Sequence, residues 1–309
     1  MQSGLHKIGS RLCEACDAGH ARIARPGVWD GGGVTGRGGD AAAEWRRARE
    51  LFGAARRITA LTGAGVSTAS GIPDFRGPNG VWTRNPQAQR LSDIESYLGD
   101  PEVRRQAWQN RARHPAWSAE PNAAHRAFAD LAGSGRLGVL LTQNIDELHQ
   151  RAGLPGEKVL ELHGSMFGTV CMDCGSTGSM KAALERVAEG DEDPPCRACG
   201  GILKSTTVSF GQALDPEVVR EGRRAALDCD LFLAAGTSLT VYPAAGFAEL
   251  AAKAGADLVI CNAEPTPYDD LAAAVLRGPL IEVLPELAAV ASDDSQRPLR
   301  TWGDPSTWT

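Results

Sequence analysis

RITALTGAGVSTASGIPDFRG, residues 57–77, decides the fold of this 309-residue chain. Arg57 to Thr62 is a short run of apolar and β-branched residues and reads as a buried strand. It ends on Gly63 and Gly65, which permit a tight turn from strand into helix. The small Ala64 and the amides that follow can approach a phosphate, with Ser67 near the start of that helix. The spacing is Gly-x-Gly without the third glycine of a dinucleotide fingerprint, so a plain strand–helix turn stays open as a reading. The continuation places a carboxylate, an aromatic ring and a guanidinium at Asp74, Phe75 and Arg76, bracketed by Gly71 and Gly77. This suits a ligand-covering loop with glycine hinges. The alternative folds Phe75 into the core and pairs Asp74 with Arg76 on the surface.

Working outward, the pattern from Ala41 to Gly53 is helical, while residues 1–40 hold ten of the 36 glycines and no periodicity. Those forty residues read as a disordered arm. Helical patterns follow around Leu91 to Tyr97, Glu102 to Arg113 and Asn122 to Ala132, the last with Asn122 as cap. Short apolar strands are expected at Leu137 to Thr142 and at Lys158 to Leu162. Farther on the pattern predicts a helix over Asp215 to Leu227, a strand over Leu231 to Ala235 and a helix over Ala244 to Ala254, begun by Pro243. It then predicts a strand over Asp257 to Cys261, a helix over Pro267 to Leu276 and a final strand over Leu280 to Val283. Strands apolar on both faces and separated by helices imply an α/β, doubly wound parallel sheet of Rossmann-like type. The expected division is an arm at 1–40, the large domain at 41–164 and 211–290, a small cysteine-bearing module at 165–210, and a loose tail at 291–309.

A net charge of -6 gives no electrostatic case for nucleic acid or an anionic membrane. The longest uncharged stretch, Leu231 to Ala248, contains Gly, Pro, Ser and two Thr and would span a bilayer badly. The N-terminus lacks the apolar core of a secretion signal, and a cytoplasmic location is expected. Cys171-x2-Cys174, twenty-one residues, then Cys196-x2-Cys199 supplies four soft ligands in two matched pairs. Four thiolates suit tetrahedral Zn²⁺ and leave no place for a water, so a single structural zinc is expected ahead of disulfides. A helix over Lys181 to Ala188 would hang from it. Cys13 and Cys16 with His6 and His20 could bind a second metal, although the arm has few apolar residues to orient them. Cys229 and Cys261 stand in apolar surroundings and read as buried thiols.

Ligands of open α/β sheets bind beyond the carboxyl ends of the strands. There "TQNIDELH" presents Gln143, Asn144 and Asp146, able to hydrogen-bond ribose hydroxyls or a carboxamide. His149, three after Asp146, is as readily a structural histidine. His163 in "ELHGSM" sits at a strand end, where an imidazole is matched to proton abstraction near neutral pH; a packed or capping role is equally open. Gly236, Thr237 and Ser238 follow the next strand, and Asn262 the one after. Four strand ends with small and polar groups suggest one long ligand across the sheet, of dinucleotide length.

"GAGVSTASGIPDFRG", "TQNIDELHQRAG", "ELHGSMF", "CMDC" with "CRAC", "VSFGQ", "GTSLTVYPAA" and "CN" together resemble the sirtuins, NAD-dependent protein-lysine deacylases, in order and separation over about residues 41–290. The "GPNGVWT" continuation is similar to that of the branch containing the nuclear histone-directed sirtuins. The resemblance implies that NAD is consumed as co-substrate and that an acyl-lysine protein is the partner. Gly63, Ala64, Gly65 and Ser67 would cradle the phosphates, and Asp74, Phe75 and Arg76 would form the loop over the nicotinamide ribose. Gln143 and Asn144 would hold that ribose, with Asp146 and the Ile145 amide on the carboxamide. Gly236, Thr237, Ser238 and Asn262 would take the rest of the dinucleotide. The acyl oxygen would attack C1′ as nicotinamide leaves, with His163 as general base through the ribose hydroxyls. His163, Asn144 and Asp146 are thus the implied catalytic residues, and O-acyl-ADP-ribose the product. Val208, Ser209, Phe210 and Gly211 would lie along the extended substrate, Val208 and Phe210 walling the acyl-lysine.

The sequence departs from that family at several points. Lys204-Ser205 stands where Lys-Pro is usual, Gln212 replaces an acid, and Glu147 stands where a small residue is common. These departures, Glu147 and the altered substrate strand above all, keep protein mono-ADP-ribosyl transfer open, and an NAD-sensing interaction module is a further reading. No Tyr and Arg pair follows "GVWT" at the spacing used for succinyl or malonyl groups, so neutral acyl groups, acetyl first, are expected.

Overall fold

The computed structural model describes residues 41–292. The arm, its Cys13, Cys16, His6 and His20, and nearly all of the tail lie outside the described residues. Among the described residues nine strands occur in chain order: β1 Ile58–Thr62, β2 Leu137–Thr142, β3 Val159–Glu161, β4 Gly168–Cys171, β5 Thr177–Ser179, β6 Leu203–Ser205, β7 Leu231–Ala235, β8 Asp257–Cys261 and β9 Ala274–Leu276. The α-helices are α1 Ala41–Ala54, α2 Val81–Arg84, α3 Ile94–Gly99, α4 Pro101–Ala112, α5 Ala123–Gly133, α6 Leu148–Arg151, α7 Met180–Ala188, α8 Pro216–Leu227, α9 Ala244–Lys253 and α10 Leu280–Ser292.

Six strands form one parallel sheet in the order β3-β2-β1-β7-β8-β9. Every residue of β1 and of β7 is buried, which is the double-faced burial that helices on both sides demand. On one face Phe52 of α1, Phe128 of α5 and Leu287 of α10 pack against Ile58, Leu140 and Val259. On the other, Phe247 of α9 and Ala225 of α8 meet Leu61, Phe232 and Leu258. Each large side chain so buried stabilises the fold by roughly 1.5–3 kcal/mol. Strand order reverses between β1 and β7, and a crevice opens at such a switch point.

At one edge of the sheet β9 has a single strand neighbour. The Val275 amide on its free side donates to the Glu44 carboxylate of α1 at 2.8 Å.

Two expected elements at this end of the chain are different in the structure. Pro267 to Leu276 is not a helix. The Thr266 hydroxyl accepts from the Tyr268 amide and donates to Asp269, closing a turn that leaves only a 3₁₀ stretch at Asp269–Leu271, and Ala274–Leu276 then joins β8 as the edge strand. Leu280 to Val283 is not a strand but the first turn of α10. The buried Val283, Leu284, Leu287, Ala288 and Ala291 repeat at helical spacing, and that face outweighs the one bond lost at Pro285.

β5, β4 and β6 form a small antiparallel sheet that carries the cysteines. Although α3 and α4 lie between β1 and β2 in sequence, they pack on this small sheet. Trp108 is buried with Met180 and Ala183, the Tyr97 hydroxyl donates to the Leu203 carbonyl at 2.7 Å, and Arg104 pairs with Asp193 at 2.7 Å.

Candidate active site

The crevice is floored by three glycine backbones in contact. The Gly63 amide donates to the Ala235 carbonyl at 3.1 Å and the Gly65 amide to the Gly236 carbonyl at 2.9 Å. Gly236 has φ +62°, and a Cβ there would stand 2.6 Å from the Val66 nitrogen; one on Gly63 would stand 2.7 Å from the Gly236 carbonyl oxygen. Only residues without side chains let the β1 and β7 loops meet this closely. The segment after Gly63 forms two short 3₁₀ turns, Ala64–Val66 and Thr68–Ser70, and not the helix expected at Ser67. Any anion bound here would therefore be met by loop amides without a long helix behind them.

The carboxyl end of β2 supplies most of the polar groups. Gln143 donates from Nε2 to the Thr237 hydroxyl at 2.9 Å, which ties the β2 end across to the β7 end. Asn144 is buried, and its Nδ2 donates to Ser67 Oγ at 3.1 Å. Asp146 is buried and accepts from Ser67 Oγ at 2.7 Å and from the Leu148 amide at 3.0 Å. Burial raises its pKa, against those two bonds, which favour the carboxylate. Glu147 turns away from this group: it sits in the left-handed region at φ 55°, and its carboxylate accepts from the Ser165 hydroxyl. No helix starts at Ile145; α6 starts at Leu148, and His149 is buried beneath the site.

His163 follows β3. Its Nδ1 lies 3.0 Å from the Gln143 carbonyl, which can only accept, so Nδ1 carries the proton and Nε2 bears a lone pair. That Nε2 is shielded from solvent and has no partner. Burial lowers the ring's pKa to about 4, against the Gln143 bond, so the imidazole is neutral and its lone pair free at physiological pH. A buried acceptor without a donor fits a hydroxyl-bearing ligand, because leaving it unmade costs roughly 1–3 kcal/mol.

The Asp74–Arg76 loop follows neither half of its surface alternative. Phe75 is 41% exposed, its ring 4.7 Å from that of Trp82, and Arg76 lies over the same indole at 4.8 Å. Asp74 accepts from the Gly77 amide at 2.9 Å within its own turn, and Gly71 is left-handed at φ +85°. Trp82 in turn stands 5.2 Å from Phe210, so an aromatic row joins the loop to the 208–211 segment.

In that segment the Val208 amide donates to the His163 carbonyl at 2.9 Å and the Phe210 amide to the Ser92 carbonyl at 2.7 Å. Ser209 is taken up by the variant residue Gln212, whose side chain accepts from the Ser209 amide at 3.2 Å and whose amide donates to the Ser209 carbonyl at 3.0 Å. A peptide pairing with Ser209 would displace Gln212. Gly211 is left-handed at φ +81°. Beneath the segment, Lys204 is 1% exposed and donates to the carbonyls of Ser205 and Thr207, while Arg111 reaches the Thr207 hydroxyl at 3.3 Å.

Ser238 bonds Thr240 at 2.8 Å beyond β7, and Asn262, at the end of β8, donates to the Glu264 carbonyl at 2.8 Å. The β1, β2, β3, β7 and β8 ends thus contribute to one rim of the sheet. Of the two cysteines read as buried thiols, Cys261 is buried and Cys229 only half-buried. The residues that sequence reasoning missed are Thr62, Thr142, His125, Trp82 and Lys204. The roles of Thr62, Thr142, His125 and Trp82 depend on residues distant in the chain, and that of Lys204 on the carbonyls of Ser205 and Thr207 beside Arg111. The strand-end position of the two threonines was a signal, and Trp82 and Lys204 stood in quoted motifs without a role assigned to them.

The four sulfurs of Cys171, Cys174, Cys196 and Cys199 lie within 4.8 Å of one another, with Cys171 and Cys199 3.5 Å apart and Cys174 and Cys196 3.8 Å apart. A tetrahedron of Zn–S bonds of about 2.3 Å has edges of about 3.8 Å, whereas a disulfide needs about 2.05 Å. Four thiols at those separations fit a structural zinc. Among the described residues no helix is long and apolar enough to cross a membrane.

The family model described as "Sir2 family" matches residues 63–243. The chain is 54% identical over 230 residues to NAD-dependent protein deacetylase 2 of Streptomyces coelicolor, covering 74% of this chain and 95% of that protein. It is 44% identical over 231 residues to NAD-dependent protein deacetylase 1 of Pyrobaculum aerophilum, covering 74% and 87%. Among solved structures, a Sir2 with p53 peptide and NAD+ is similar at TM-score 0.70 and 33% identity, covering 78% of this chain and 95% of that one. A Sir2 with deacetylated p53 peptide and 3′-O-acetyl-ADP-ribose is similar at TM-score 0.72 and 32% identity, covering 82% and 99%.

Proposed function

The chain belongs to the Sir2 family, and from that premise we infer that it is an NAD-dependent protein-lysine deacylase, with deacetylation as its principal reaction. The observation that carries the chemistry is the bare, shielded Nε2 of His163 beside the Gln143–Asn144 strand end.

NAD supplies the electrophilic ribose carbon from which nicotinamide leaves and the ribose hydroxyl that takes up the acyl group, so that free lysine and O-acyl-ADP-ribose result. The loop of residues 63–67 lies against the phosphates: Gly63 and Gly65 let the backbone come close, and the bonds of the Gly63, Gly65, Val66 and Ser67 amides leave that of Ala64 to donate. Ser67, its hydroxyl committed to Asp146 and Asn144, holds the loop's polar base in place. Gln143 and Asn144 have committed their amide NH₂ groups to Thr237 and Ser67, which leaves their oxygens to accept from ribose hydroxyls. Asp146, with the Ile145 amide, takes the carboxamide. Gly236, Thr237, Ser238 and Asn262 take the adenosine side. Asp74, Phe75 and Arg76 cover the site, and the exposed Phe75 ring excludes water as they close. His163 Nε2 accepts a ribose hydroxyl proton. Val208, Ser209, Phe210 and Gly211 receive the acyl-lysine segment. Cys171, Cys174, Cys196 and Cys199 hold one zinc, which orders the small sheet and takes no part in the chemistry.

The division into an NAD-binding body at 41–164 and 211–290 and a zinc module at 165–210 belongs to this reading, with α3 and α4 buttressing the module. So do a cytoplasmic location and the lack of a nucleic-acid partner, which the net charge of -6 supports.

The test is mass spectrometry of products after incubation with NAD and a panel of acyl-lysine peptides. Nicotinamide and O-acyl-ADP-ribose are expected from the acetyl peptide and are lost in His163→Ala. Unchanged deacetylation by that variant would overturn the assignment of the base. A second reading, ADP-ribosyl transfer to protein, draws on the occupied backbone of Ser209. Stable label on protein from labelled NAD, without soluble O-acyl-ADP-ribose, would favour it.

A further inference from the structure

Resting on the deacylase reading above, we propose that His125 and His149 are positioning residues for Asn144, each acting through buried hydroxyl groups that end on it. Both rings are buried, at 0% and 1% exposure, and meet edge to face at 4.9 Å.

The first chain reaches the Asn144 side chain. The Asn122 amide donates to His125 Nδ1 at 3.2 Å, so the proton of a neutral ring sits on Nε2, which faces Ser67 Oγ at 3.3 Å. Ser67 gives its single proton to Asp146 at 2.7 Å. Its oxygen is then left to accept from His125 and from Asn144 Nδ2 at 3.1 Å. Each hydrogen has one place to go, and the Asn144 amide is locked with its NH₂ inward.

The second chain reaches the Asn144 backbone. Thr62 gives its hydroxyl proton to Thr142 Oγ1 at 2.9 Å. His149 Nε2, 3.0 Å from Thr62 Oγ1, must therefore be the donor. Thr142 Oγ1 also accepts from the Asn144 amide at 3.1 Å. Asn144 is thus fixed at both ends, by hydrogen bonds that begin on two different histidines.

His149 is a poor choice for packing alone. With Nε2 protonated, its Nδ1 is buried and without a partner, a cost that a leucine against Phe128 would avoid. The polar ring is accounted for by what its donor does to Thr62. Burial lowers the pKa of both rings, that of His125 to about 4, which agrees with neutral donors.

Thr62→Val removes the hydroxyl at nearly constant volume. It should lower kcat for deacetylation by about fivefold to tenfold, the worth of one hydrogen bond, with KM for NAD and peptide within about twofold. Thr62→Ser should restore kcat to within about twofold, and His149→Leu should lose kcat similarly while its thermal midpoint is unchanged or higher. The proposal is overturned if Thr62→Val and His149→Leu both keep wild-type kcat, if the loss falls on KM, or if Thr62→Ser is as slow as Thr62→Val. Nitrogen chemical shifts of the wild-type rings test it without activity or variants. Nε2–H tautomers at both His125 and His149 are expected, and an Nδ1–H tautomer or an imidazolium at pH 7 at either position overturns it. A wild-type protein with no NAD-dependent deacylation would instead sink the deacylase reading, while the tautomers still decide the hydrogen-bond chains.

Discussion

Replacing Lys204 with methionine should change how stability depends on pH, in a direction the structure fixes. Its ammonium is 1% exposed and donates to two backbone carbonyls. Burial first, and the like charge of Arg111 second, press its pKa from 10.5 down to about 7. As pH falls from above 10.5 the unfolded chain protonates this lysine before the folded one does. Stability that is fully present above 10.5 is therefore lost as pH falls toward 7, and levels off below it. The difference of 3.5 units (10.5 minus 7), at about 1.4 kcal/mol each, sets a ceiling of about 5 kcal/mol. Lys204→Met removes the titration and strands the Ser205 and Thr207 carbonyls, at roughly 1–3 kcal/mol each. At pH 10 the wild type should be clearly the more stable of the two, and by pH 7 the gap should close or reverse. Urea unfolding of both proteins at pH 7, 8, 9 and 10, with zinc held constant, measures the gap. Thiol and tyrosine titrations common to both cancel in it. Two profiles parallel to within about 0.5 kcal/mol over that range would show that Lys204 is not a charge forced into the interior.

Two further outcomes follow from the geometry. One zinc per chain is expected by metal analysis. Chelation or Cys171→Ser should lower the thermal midpoint and loosen Trp108 from Met180, read as a change in tryptophan fluorescence; retention of both signals would contradict a structural site. Gly236→Ala should cost at least about 2 kcal/mol of stability and weaken NAD binding, because its Cβ meets the Val66 nitrogen at 2.6 Å. Gly255→Ala, left-handed at φ +101° but with open space around it, should cost only the backbone strain of roughly 1–2 kcal/mol and leave NAD binding intact; equal losses in binding would refute the close-approach argument.

How far the sequence reaches depends on how local the determinant is. Leu137–Thr142, Leu231–Ala235 and Asp257–Cys261 are legible to the residue, since each is an apolar run cut off by a polar or glycine residue at the rim. The carboxyl-end rule then puts Gln143, Asn144, Thr237 and Asn262 along one side of the sheet from the order of residues alone. Beyond β8 the same logic inverted a helix and a strand. A window as short as Leu280 to Val283 cannot separate a period of 2 from one of 3.6, and Pro285 argues against the helix that forms, although Pro279, just ahead of it, suits a helix start. His125 and Lys204 were illegible for another reason. What each one does is set by a residue brought against it from a distant part of the chain, Ser67 for the one and the Arg111 side chain for the other. The packing of α3 and α4 onto the cysteine-bearing sheet is likewise a tertiary fact, resting on Trp108 and Tyr97 contacts that no local pattern encodes.

The carboxylate of Glu44 resting on the Val275 amide has a bearing on how this protein behaves among copies of itself. A parallel sheet that stops at β9 leaves a row of donors and acceptors able to template another strand, the usual entry point to aggregation. Here a charge borne on α1 occupies the middle of that row, and a second chain would have to bury or expel it to add on. The first described helix is therefore a solubility element as much as a packing one. A truncation that began at residue 56, after α1, would leave every rim residue of the crevice in the chain and yet uncover the β9 flank of the sheet to a strand of another copy.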